Sequence, residues 1–171
     1  MRRILLAFAA LAFAVPASAA LPVGAKAPDF TTTGALAGKP FKLHLADQLK
    51  KGPVVLYFYP KAFTAGCTAE AHAFSEASAD FKKAGAQVIG MSADDYPTLK
   101  KFSVEGCRSA FPVATASPAV ISAYDVKLPL VSMTNRTSYV IASNGRITMV
   151  HSEMSWKDHV GKSLAAVKAL R

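Results

Sequence analysis

Apolar and polar positions follow two different periods along the chain, and these predict strands alternating with helices. Val54 to Tyr59 is an unbroken apolar and aromatic run, typical of a strand buried on both faces. Pro60 ends this strand, and a helical pattern runs from about Thr64 to Lys83. On that helix, residues at successive offsets of four and three share one face: Cys67, Ala71, Phe74, Ser78 and Phe81. Cys67 therefore heads the stripe that we expect to pack against the sheet.

Strand and helix patterns continue on both sides of this central pair. Short strands around a turn region from Gly34 to Pro40 predict an N-terminal hairpin, and Asn144-Gly145 predicts a second hairpin near the C-terminus. The other predicted strands are Gln87 to Met91, a weak one at Phe111 to Ala114, Thr137 to Ile141 and Ile147 to His151. The later helices are Pro97 to Glu105, Pro118 to Tyr124, and Trp156 to Leu170 with an apolar stripe at Val160, Leu164, Val167 and Leu170.

The order of these elements is β-α-β-α-(β)-α-β-β-α after the N-terminal hairpin. It combines parallel crossovers with a C-terminal antiparallel hairpin. We therefore predict an α/β fold with a central mixed β-sheet flanked by helices, the thioredoxin-like arrangement with an N-terminal β-hairpin extension. A single domain over residues 20–171 accounts for the whole pattern.

The first 19 residues have the pattern of a targeting segment. Met1-Arg2-Arg3 is a basic start, Ile4 to Val15 is apolar, and Pro16 to Ala19 ends in an A-x-A cleavage pattern. The apolar run of 12 residues is short for a membrane span, which needs about 20. We expect a signal peptide, an exported periplasmic or secreted protein, and no stable membrane association after cleavage. Retention of the segment as an uncleaved anchor is the weaker alternative.

The charge is positive but dispersed. The formal net charge is +9, and cleavage would remove two arginines and no acids, which leaves +7. The lysines occur as singles and pairs at the ends of predicted elements, with no basic run interleaved with aromatic residues. This pattern indicates a solvated surface and argues against nucleic-acid binding.

Cys67 is the residue whose position suggests chemistry. A thiol at a helix start lies among unpaired backbone N–H groups at the positive end of the helix dipole, and both favour the reactive thiolate. From position alone, Cys67 could equally be a small buried hydrophobe. Cys107 is the only other cysteine. An even number of cysteines in an exported chain first suggests a structural disulfide. A domain of this size can bury its own core, so it does not need a disulfide for stability. Neither cysteine belongs to a C-x-x-C pair or a metal-ligand cluster, so no metal is expected.

Pro60, Thr64 and Cys67 together fit P-x-x-x-T/S-x-x-C, the active-site motif of the peroxiredoxins. The surrounding sequence YFYPKAFTAGCTAE resembles the subgroup related to bacterioferritin comigratory protein, also called the PrxQ group, within the AhpC/TSA family. The resemblance extends from about Pro22 to the C-terminus and includes QVIGMSADD and RTSYVI.

The resemblance implies a role for each residue of the motif. Cys67 would be the peroxidatic nucleophile and would pass through a sulfenic acid. Thr64 would bring its hydroxyl and backbone to the pocket, Pro60 would shape and shield it, and Arg136 would favour the thiolate and position the peroxide. Glu70 matches an acidic position of the family, and a carboxylate there would organise the arginine side of the active site. Taken singly, Pro60 could be only a strand terminator, Thr64 an N-cap and Arg136 a surface charge.

The second cysteine departs from the pattern of many relatives. Those relatives carry a resolving cysteine five residues after the first, where this chain has His72. Other relatives carry it on the following helix, and Cys107 lies 40 residues after Cys67, near the end of that helix. The resemblance thus implies a Cys67–Cys107 disulfide during turnover, with local unwinding of the first turns after Cys67. The alternative is a one-cysteine enzyme resolved by an external thiol. The other histidines, His44, His151 and His159, are scattered, and no histidine is assigned catalysis or a metal.

Two other functions would suit the same fold. A thioredoxin-type thiol–disulfide oxidoreductase needs C-x-x-C, but Thr64 occupies the place of the first cysteine. An exported copper-delivery protein uses a nearby cysteine pair and a distant histidine, and the sequence lacks the pair. We therefore expect a monomeric or weakly associating thiol-dependent peroxidase without a bound cofactor. Its substrate would be hydrogen peroxide, with organic hydroperoxides as further candidates, and its reductant a thioredoxin-like protein or a small thiol.

Overall fold

The computed structural model describes residues 20–171, so the predicted signal peptide at residues 1–19 lies outside the described part of the chain. The strands are β1 (Thr31–Leu36), β2 (Lys39–His44), β3 (Val54–Phe58), β4 (Gln87–Ser92), β5 (Val113–Thr115), β6 (Thr137–Ile141) and β7 (Ile147–Ser152). The helices are α1 (Leu45–Leu49), α2 (Ala65–Glu76), α3 (Ser78–Lys83), α4 (Tyr96–Glu105), α5 (Pro118–Ala123) and α6 (His159–Lys168). Within residues 20–171, no helix has the length and apolar character needed to cross a membrane.

The strands form one mixed sheet in the order β2-β1-β5-β4-β3-β6-β7, which confirms the predicted thioredoxin-like fold. The central strand β3 is parallel to β4 and antiparallel to β6. Its residues are all buried because helices cover both faces, which explains the unbroken apolar run. Leu56 and Phe58 lie in the core with α1 and α5, whereas Tyr57 and Tyr59 lie in the opposite core with α2, α4 and Cys67.

The predicted N-terminal hairpin is present, but its turn is tighter than the sequence suggested. β1 and β2 pair as far as Leu36 and Lys39, so only Ala37 and Gly38 form the turn, with φ of 51° and 73°. The predicted turn extends to Pro40 and is wrong, because Pro40 lies within β2 and pairs with Ala35. A proline has no backbone N–H, and it is tolerated here because β2 is the edge strand of the sheet. β1 also pairs with β5, and this joins the hairpin to the main sheet.

The single helix predicted from Thr64 to Lys83 is wrong, because the structure has two consecutive helices, α2 and α3. Ala77 separates them with φ −81° and ψ 0°. The break has no warning in the sequence, since alanine favours an uninterrupted helix. The apolar face nevertheless stays on the sheet, with Ser78 half-buried and the other four members fully buried: Cys67, Ala71, Phe74 and Phe81. Gly85 follows α3 with φ 77°, as its predicted capping role requires.

The C-terminal helix also differs from its prediction. α6 begins at His159 and not at Trp156, and its buried residues are His159, Ser163 and Val167. Leu170 lies beyond the helix and is 38% exposed. Three members of the predicted apolar stripe, Val160, Leu164 and Val167, do pack against the core. The most deeply buried face of α6 is nevertheless partly polar, because it also carries His159 and Ser163.

Candidate active site

Cys67 is the third residue of α2, directly after the loop that leaves β3. Thr64 has the extended N-cap conformation, and the first intrahelical bond runs from Thr68 N–H to the Thr64 carbonyl oxygen at 2.9 Å. The backbone N–H of Cys67 therefore belongs to the unpaired first turn of the helix. The side chain is only 2% exposed and packs in the core beneath α2. Cys67 thus combines a helix N-terminus with an apolar surrounding.

Arg136 reaches this thiol because of the register between β3 and β6. Phe58 at the end of β3 pairs with Thr137 at the start of β6, so the residue before β6 lies beside the loop that follows β3. Nη2 of Arg136 donates to Sγ of Cys67 at 3.4 Å, and Nε donates to the carbonyl oxygen of Met154 at 2.9 Å. The guanidinium is 5% exposed, so it is a buried cation and not the surface charge that its sequence position alone would allow.

Glu70 holds the other end of the guanidinium. It lies three residues after Cys67 on α2, is fully buried, and its Oε2 accepts a hydrogen bond from Nη1 of Arg136. Burial raises the pKa of Glu70 to about 8, against the lowering effect of Arg136. Its Oε1 has no hydrogen-bond partner within residues 20–171 and lies 3.8 Å from Nδ1 of His159.

Thr64 and Pro60 lie in the loop that joins β3 to α2, just before Cys67. The hydroxyl of Thr64 donates to the carbonyl oxygen of Lys61 at 2.9 Å and makes no side-chain cap on the helix. Its oxygen lone pairs therefore remain available to a donor outside the loop. Pro60 is half-buried at the end of β3. Phe63, between them, has φ 64°, a left-handed conformation that costs energy for a side chain of this size.

Asp94 supports the loop from beneath, and sequence reasoning missed it. Its Oδ2 accepts from the N–H of Ala62 at 2.7 Å and from the hydroxyl of Ser92 at 2.8 Å. β3 and β4 are parallel, so the segments that follow them meet at one edge of the sheet. In the sequence, the indication of this role was a carboxylate two residues after the end of β4, the strand beside β3.

The sequence profile of the AhpC/TSA family matches residues 23–150, three quarters of the chain. The chain is a peroxiredoxin of this family. The chloroplastic peroxiredoxin Q of Oryza sativa subsp. japonica is 32% identical to it over 149 residues, 86% of this chain and 67% of the rice protein. The chloroplastic peroxiredoxin Q of Arabidopsis thaliana is 35% identical over 148 residues, 85% of this chain and 67% of its own. The crystal structure of peroxidoxin BcpB from Mycobacterium tuberculosis superimposes with a TM-score of 0.78 and 32% identity, over 87% of this chain and 97% of that one.

The predicted family, the fold and the thiol-dependent peroxidase activity are thereby confirmed. Like its family, this peroxiredoxin uses a peroxide and a thiol reductant. The structure brings Cys67, Arg136 and Glu70 into direct contact and places Thr64 and Pro60 in the loop before Cys67. The roles of these residues in turnover remain predictions.

Cys107 lies in the same apolar core as Cys67 but makes no disulfide with it. It is completely buried in the turn after α4, and burial raises the pKa of its thiol. Both cysteines lie in one core cluster with the rings of Tyr57 and Tyr59, although they belong to different elements. Arg108 and Ser109, which follow Cys107, have φ of 49° and 59°.

Two of the histidines are not scattered, contrary to the sequence-based expectation. The rings of His151 and His159 lie with centroids 4.5 Å apart, and Nδ1 of His159 lies 2.8 Å from Oγ of Ser138. His159 lies on the buried face of α6 together with Ser163 and Val167. In the part of the chain that the structure describes, no group of three or more histidine, cysteine or carboxylate side chains is placed to hold a metal ion.

Proposed function

We propose that this peroxiredoxin reduces hydrogen peroxide at Cys67. The thiolate attacks one peroxide oxygen, so an S–O bond forms as the O–O bond breaks. The sulfur is oxidised to a sulfenic acid, and the departing oxygen leaves as water after taking a proton from the solvent. The observation that carries the proposal is the buried contact of the Arg136 guanidinium with the Cys67 sulfur at 3.4 Å.

Each neighbour has a part in this step. The guanidinium of Arg136 stabilises the thiolate and the charge that develops on the departing oxygen. The hydroxyl of Thr64, already donating to Lys61, accepts a hydrogen bond from the incoming peroxide. Pro60 limits the access of water to the loop. Glu70 orients Arg136 through the contact with Nη1.

The sulfenic acid of Cys67 is then resolved by Cys107. The thiol of Cys107 attacks the sulfenic sulfur, an S–S bond forms, and one water leaves. A dithiol reductant of the thioredoxin type, or a small thiol, returns both cysteines to the thiol form. Because both side chains are buried on separate elements, the start of α2 and the turn after α4 must open for this step.

The left-handed residues after Cys107 support such an opening. Arg108 and Ser109 are two consecutive non-glycine residues with positive φ, and this conformation costs of order 1 kcal/mol for each residue. The Arg108–Glu76 ion pair, with 3.1 Å between Nη1 and Oε1, ties this exposed turn to α2. An exposed pair of this kind contributes little to stability.

The competing proposal is resolution by an external thiol. Complete burial and the raised pKa of Cys107 favour it, because a buried thiol is a poor nucleophile until it is exposed. Intact mass of the protein after one equivalent of peroxide separates the two. A loss of two hydrogens supports the internal disulfide, whereas a stable gain of one oxygen contradicts it.

Peroxide consumption with a dithiol reductant tests the proposal as a whole. Cys67→Ser should abolish turnover, and Cys107→Ala should leave the first oxidation intact while slowing the cycle. Undiminished turnover in Cys67→Ser would overturn the assignment of Cys67. The alanine variant is chosen because a buried serine hydroxyl in place of the Cys107 thiol would lack a partner.

Export and association state belong to the same proposal. We place the mature protein, starting at Ala20, in the periplasm or outside the cell, on the basic, apolar and A-x-A pattern of residues 1–19. The N-terminal mass of the protein purified from its own host, or from a host with a secretory pathway, checks this. The mature protein is proposed to be a monomer or a weak dimer, which sedimentation at several concentrations would decide.

A further inference from the structure

The loop between β7 and α6, residues 153–158, supplies one of the contacts that hold Arg136. The carbonyl oxygen of Met154 accepts a hydrogen bond from Nε of the guanidinium at 2.9 Å. The residue Met154 is itself 56% exposed, so packing of its own side chain does little to fix the position of this carbonyl. Other groups must therefore hold the loop in place.

His159, the first residue of α6, is completely buried and bonds this loop twice. Its ring nitrogen Nε2 lies 2.9 Å from the carbonyl oxygen of Glu153, and its backbone N–H donates to the carbonyl oxygen of Trp156 at 3.3 Å. A carbonyl oxygen can only accept, so Nε2 carries a hydrogen and donates it. The Met154 carbonyl thus lies between two positions of the loop that are bonded to His159.

The hydroxyl of Ser138 fixes the orientation of the imidazole. Because Nε2 carries the hydrogen of the neutral ring, Nδ1 is an acceptor, and the Ser138 hydroxyl donates to it at 2.8 Å. Burial lowers the pKa of His159 to about 4, so the ring is neutral at physiological pH. Ser138 belongs to β6 and is fully buried. The central sheet therefore orients the imidazole, and the imidazole holds the loop.

The two anchors of the loop come from neighbouring positions of one segment. Ser138 lies two residues after Arg136, the spacing that places side chains on the same face of an extended chain. Arg136 bonds the Met154 carbonyl directly, and Ser138 reaches the preceding carbonyl group through His159. Two consecutive carbonyl groups of the loop are thus held from the strand that also carries the catalytic cation.

We propose that His159 is a positioning residue of the active site, which fixes the 153–158 loop so that the Met154 carbonyl orients the guanidinium of Arg136 toward Cys67. The inference rests on the proposed function, in which Arg136 stabilises the thiolate of Cys67. His159 acts through the loop and through Arg136, and it takes no part in the reaction itself.

Alkylation of Cys67 tests this proposal without any peroxide chemistry. In a Cys107→Ala background, a small alkylating reagent reports the thiolate of Cys67 alone. His159→Gln and His159→Asn form a matched pair of amides. The amide nitrogen of glutamine reaches about as far as Nε2 and can still donate to the Glu153 carbonyl. Asparagine reaches only as far as Nδ1, so it keeps an acceptor for the Ser138 hydroxyl and loses the bond to the loop.

The two amides should therefore differ in their effect on the thiolate. We expect the alkylation rate at neutral pH to fall by about tenfold in His159→Asn, because a displaced guanidinium stabilises the thiolate less well. In His159→Gln the rate should stay within about twofold of the parent rate. Ser163→Ala is the control on the same buried face of α6, since the Ser163 hydroxyl has no hydrogen-bond partner within residues 20–171. It should leave the rate unchanged.

Removal of the cation shows whether His159 acts through Arg136. In an Arg136→Gln background no guanidinium remains for the loop to orient, so adding His159→Asn should change the alkylation rate by less than about twofold. An effect of His159→Asn that is equally large with and without Arg136 would overturn the proposal and make His159 a packing residue only.

The fluorescence of Trp156 reports the loop independently of the thiol. It is the only tryptophan of the chain, and its ring lies beside Gly66 in the first turn of α2. Displacement of the loop should make Trp156 more accessible to a soluble quencher in His159→Asn, whereas His159→Gln and Ser163→Ala should match the parent protein. Unchanged quenching in His159→Asn would contradict the role of His159 in holding the loop.

Two results of the alkylation assay would also overturn the proposal: an equal loss of rate in His159→Gln and His159→Asn, or no loss in His159→Asn. Thermal unfolding establishes that each variant is folded. If His159→Asn is not folded, Ser138→Ala carries the comparison, because it removes the bond that orients the ring and should lower the rate by a few-fold. A parent rate in Ser138→Ala would then count against the proposal. Failure of the peroxidase assignment would be recognised separately by the Cys67→Ser assay.

Discussion

The guanidinium of Arg136 contacts the sulfur of Cys67 across 69 residues of sequence, and the same side chain also binds Glu70 and the carbonyl oxygen of Met154. Three nitrogens of one planar group thus hold three partners. A buried cation so fully engaged has one orientation, and that orientation presents Nη2 to the thiol. The contact of Arg136 with Cys67 therefore depends on the two other hydrogen bonds of the guanidinium.

Arg136→Lys should lower the rate constant for Cys67 oxidation by about 100-fold, although the positive charge is kept. A lysine ammonium is a single point and cannot reach all three partners with the same geometry. Rapid mixing with peroxide measures the rate. Arg146→Lys is the matched control, because Arg146 is exposed and its Nη1 bonds the backbone oxygen of Gly24 at 2.8 Å, away from the thiol. An equal loss in both variants would contradict the specific role of Arg136.

Thr64→Val should separate catalysis from stability. The hydroxyl does not cap α2, and its bond to the carbonyl oxygen of Lys61 is at an exposed site. We expect the free energy of unfolding to fall by no more than about 1 kcal/mol. Peroxide reduction should fall by at least about tenfold, on the order of the loss of one transition-state hydrogen bond. Thr64→Ser keeps the hydroxyl and should stay close to the parent enzyme in both measurements.

Asp94→Ala should impair the site without touching the thiol. It leaves the N–H of Ala62 and the hydroxyl of Ser92 without their acceptor, which costs about 1–3 kcal/mol of stability. The loop before Cys67 then loses its fixed position, and peroxide reduction slows. Asp95→Ala is the control at the next residue, since Asp95 caps α4 by accepting from Thr98 N–H at 3.0 Å. It should cost about 1 kcal/mol of stability and leave peroxide reduction unchanged.

Ser109→Gly should stabilise the reduced protein and slow the disulfide step. Ser109 is exposed and has φ 59°, which glycine adopts without strain. We expect a gain of up to about 1 kcal/mol in the free energy of unfolding and a slower loss of two hydrogens by mass. Ala37→Gly relieves a similar φ of 51° in the β1–β2 turn and should stabilise the protein without affecting the disulfide. Equal slowing by both variants would disprove a role for strain at Ser109.

The stability of the reduced protein should depend on pH through Glu70. The pKa of Glu70 is raised from 4.5 to about 8 by burial, so the folded state holds a proton that the unfolded state has lost. Its contribution is complete below pH 4.5 and disappears as the pH rises through about 8. His159, with its pKa lowered from 6.5 to about 4, has the opposite effect, but only below pH 6.5. Urea unfolding between pH 6.5 and 8 should therefore show a decline in stability that Glu70→Gln weakens; identical slopes would contradict the raised pKa.

Local pattern was sufficient for much of the fold. The apolar run at β3, the stripe headed by Cys67 and the Asn144-Gly145 turn are each set by neighbours in sequence, and each is where the pattern placed it. The two exceptions have physical causes that the local sequence pattern does not reveal. Ala77 has a ψ of 0°, which departs from the value of a regular helix, and this divides the predicted helix into two. The position of β2 at the edge of the sheet allows Pro40 to lie within a strand.

The sequence by itself determined the family, the fold class and the candidate nucleophile, because the spacing of Pro60, Thr64 and Cys67 is short and needs only a strand, a loop and a helix start. The tertiary structure alone decided what surrounds the thiol. The β3–β6 register brings Arg136 to Cys67, and the packing of α6 brings His159 to Glu70. Those contacts depend on strand register, helix rotation and burial. These properties are set by the whole core, so no local pattern in the sequence specifies them.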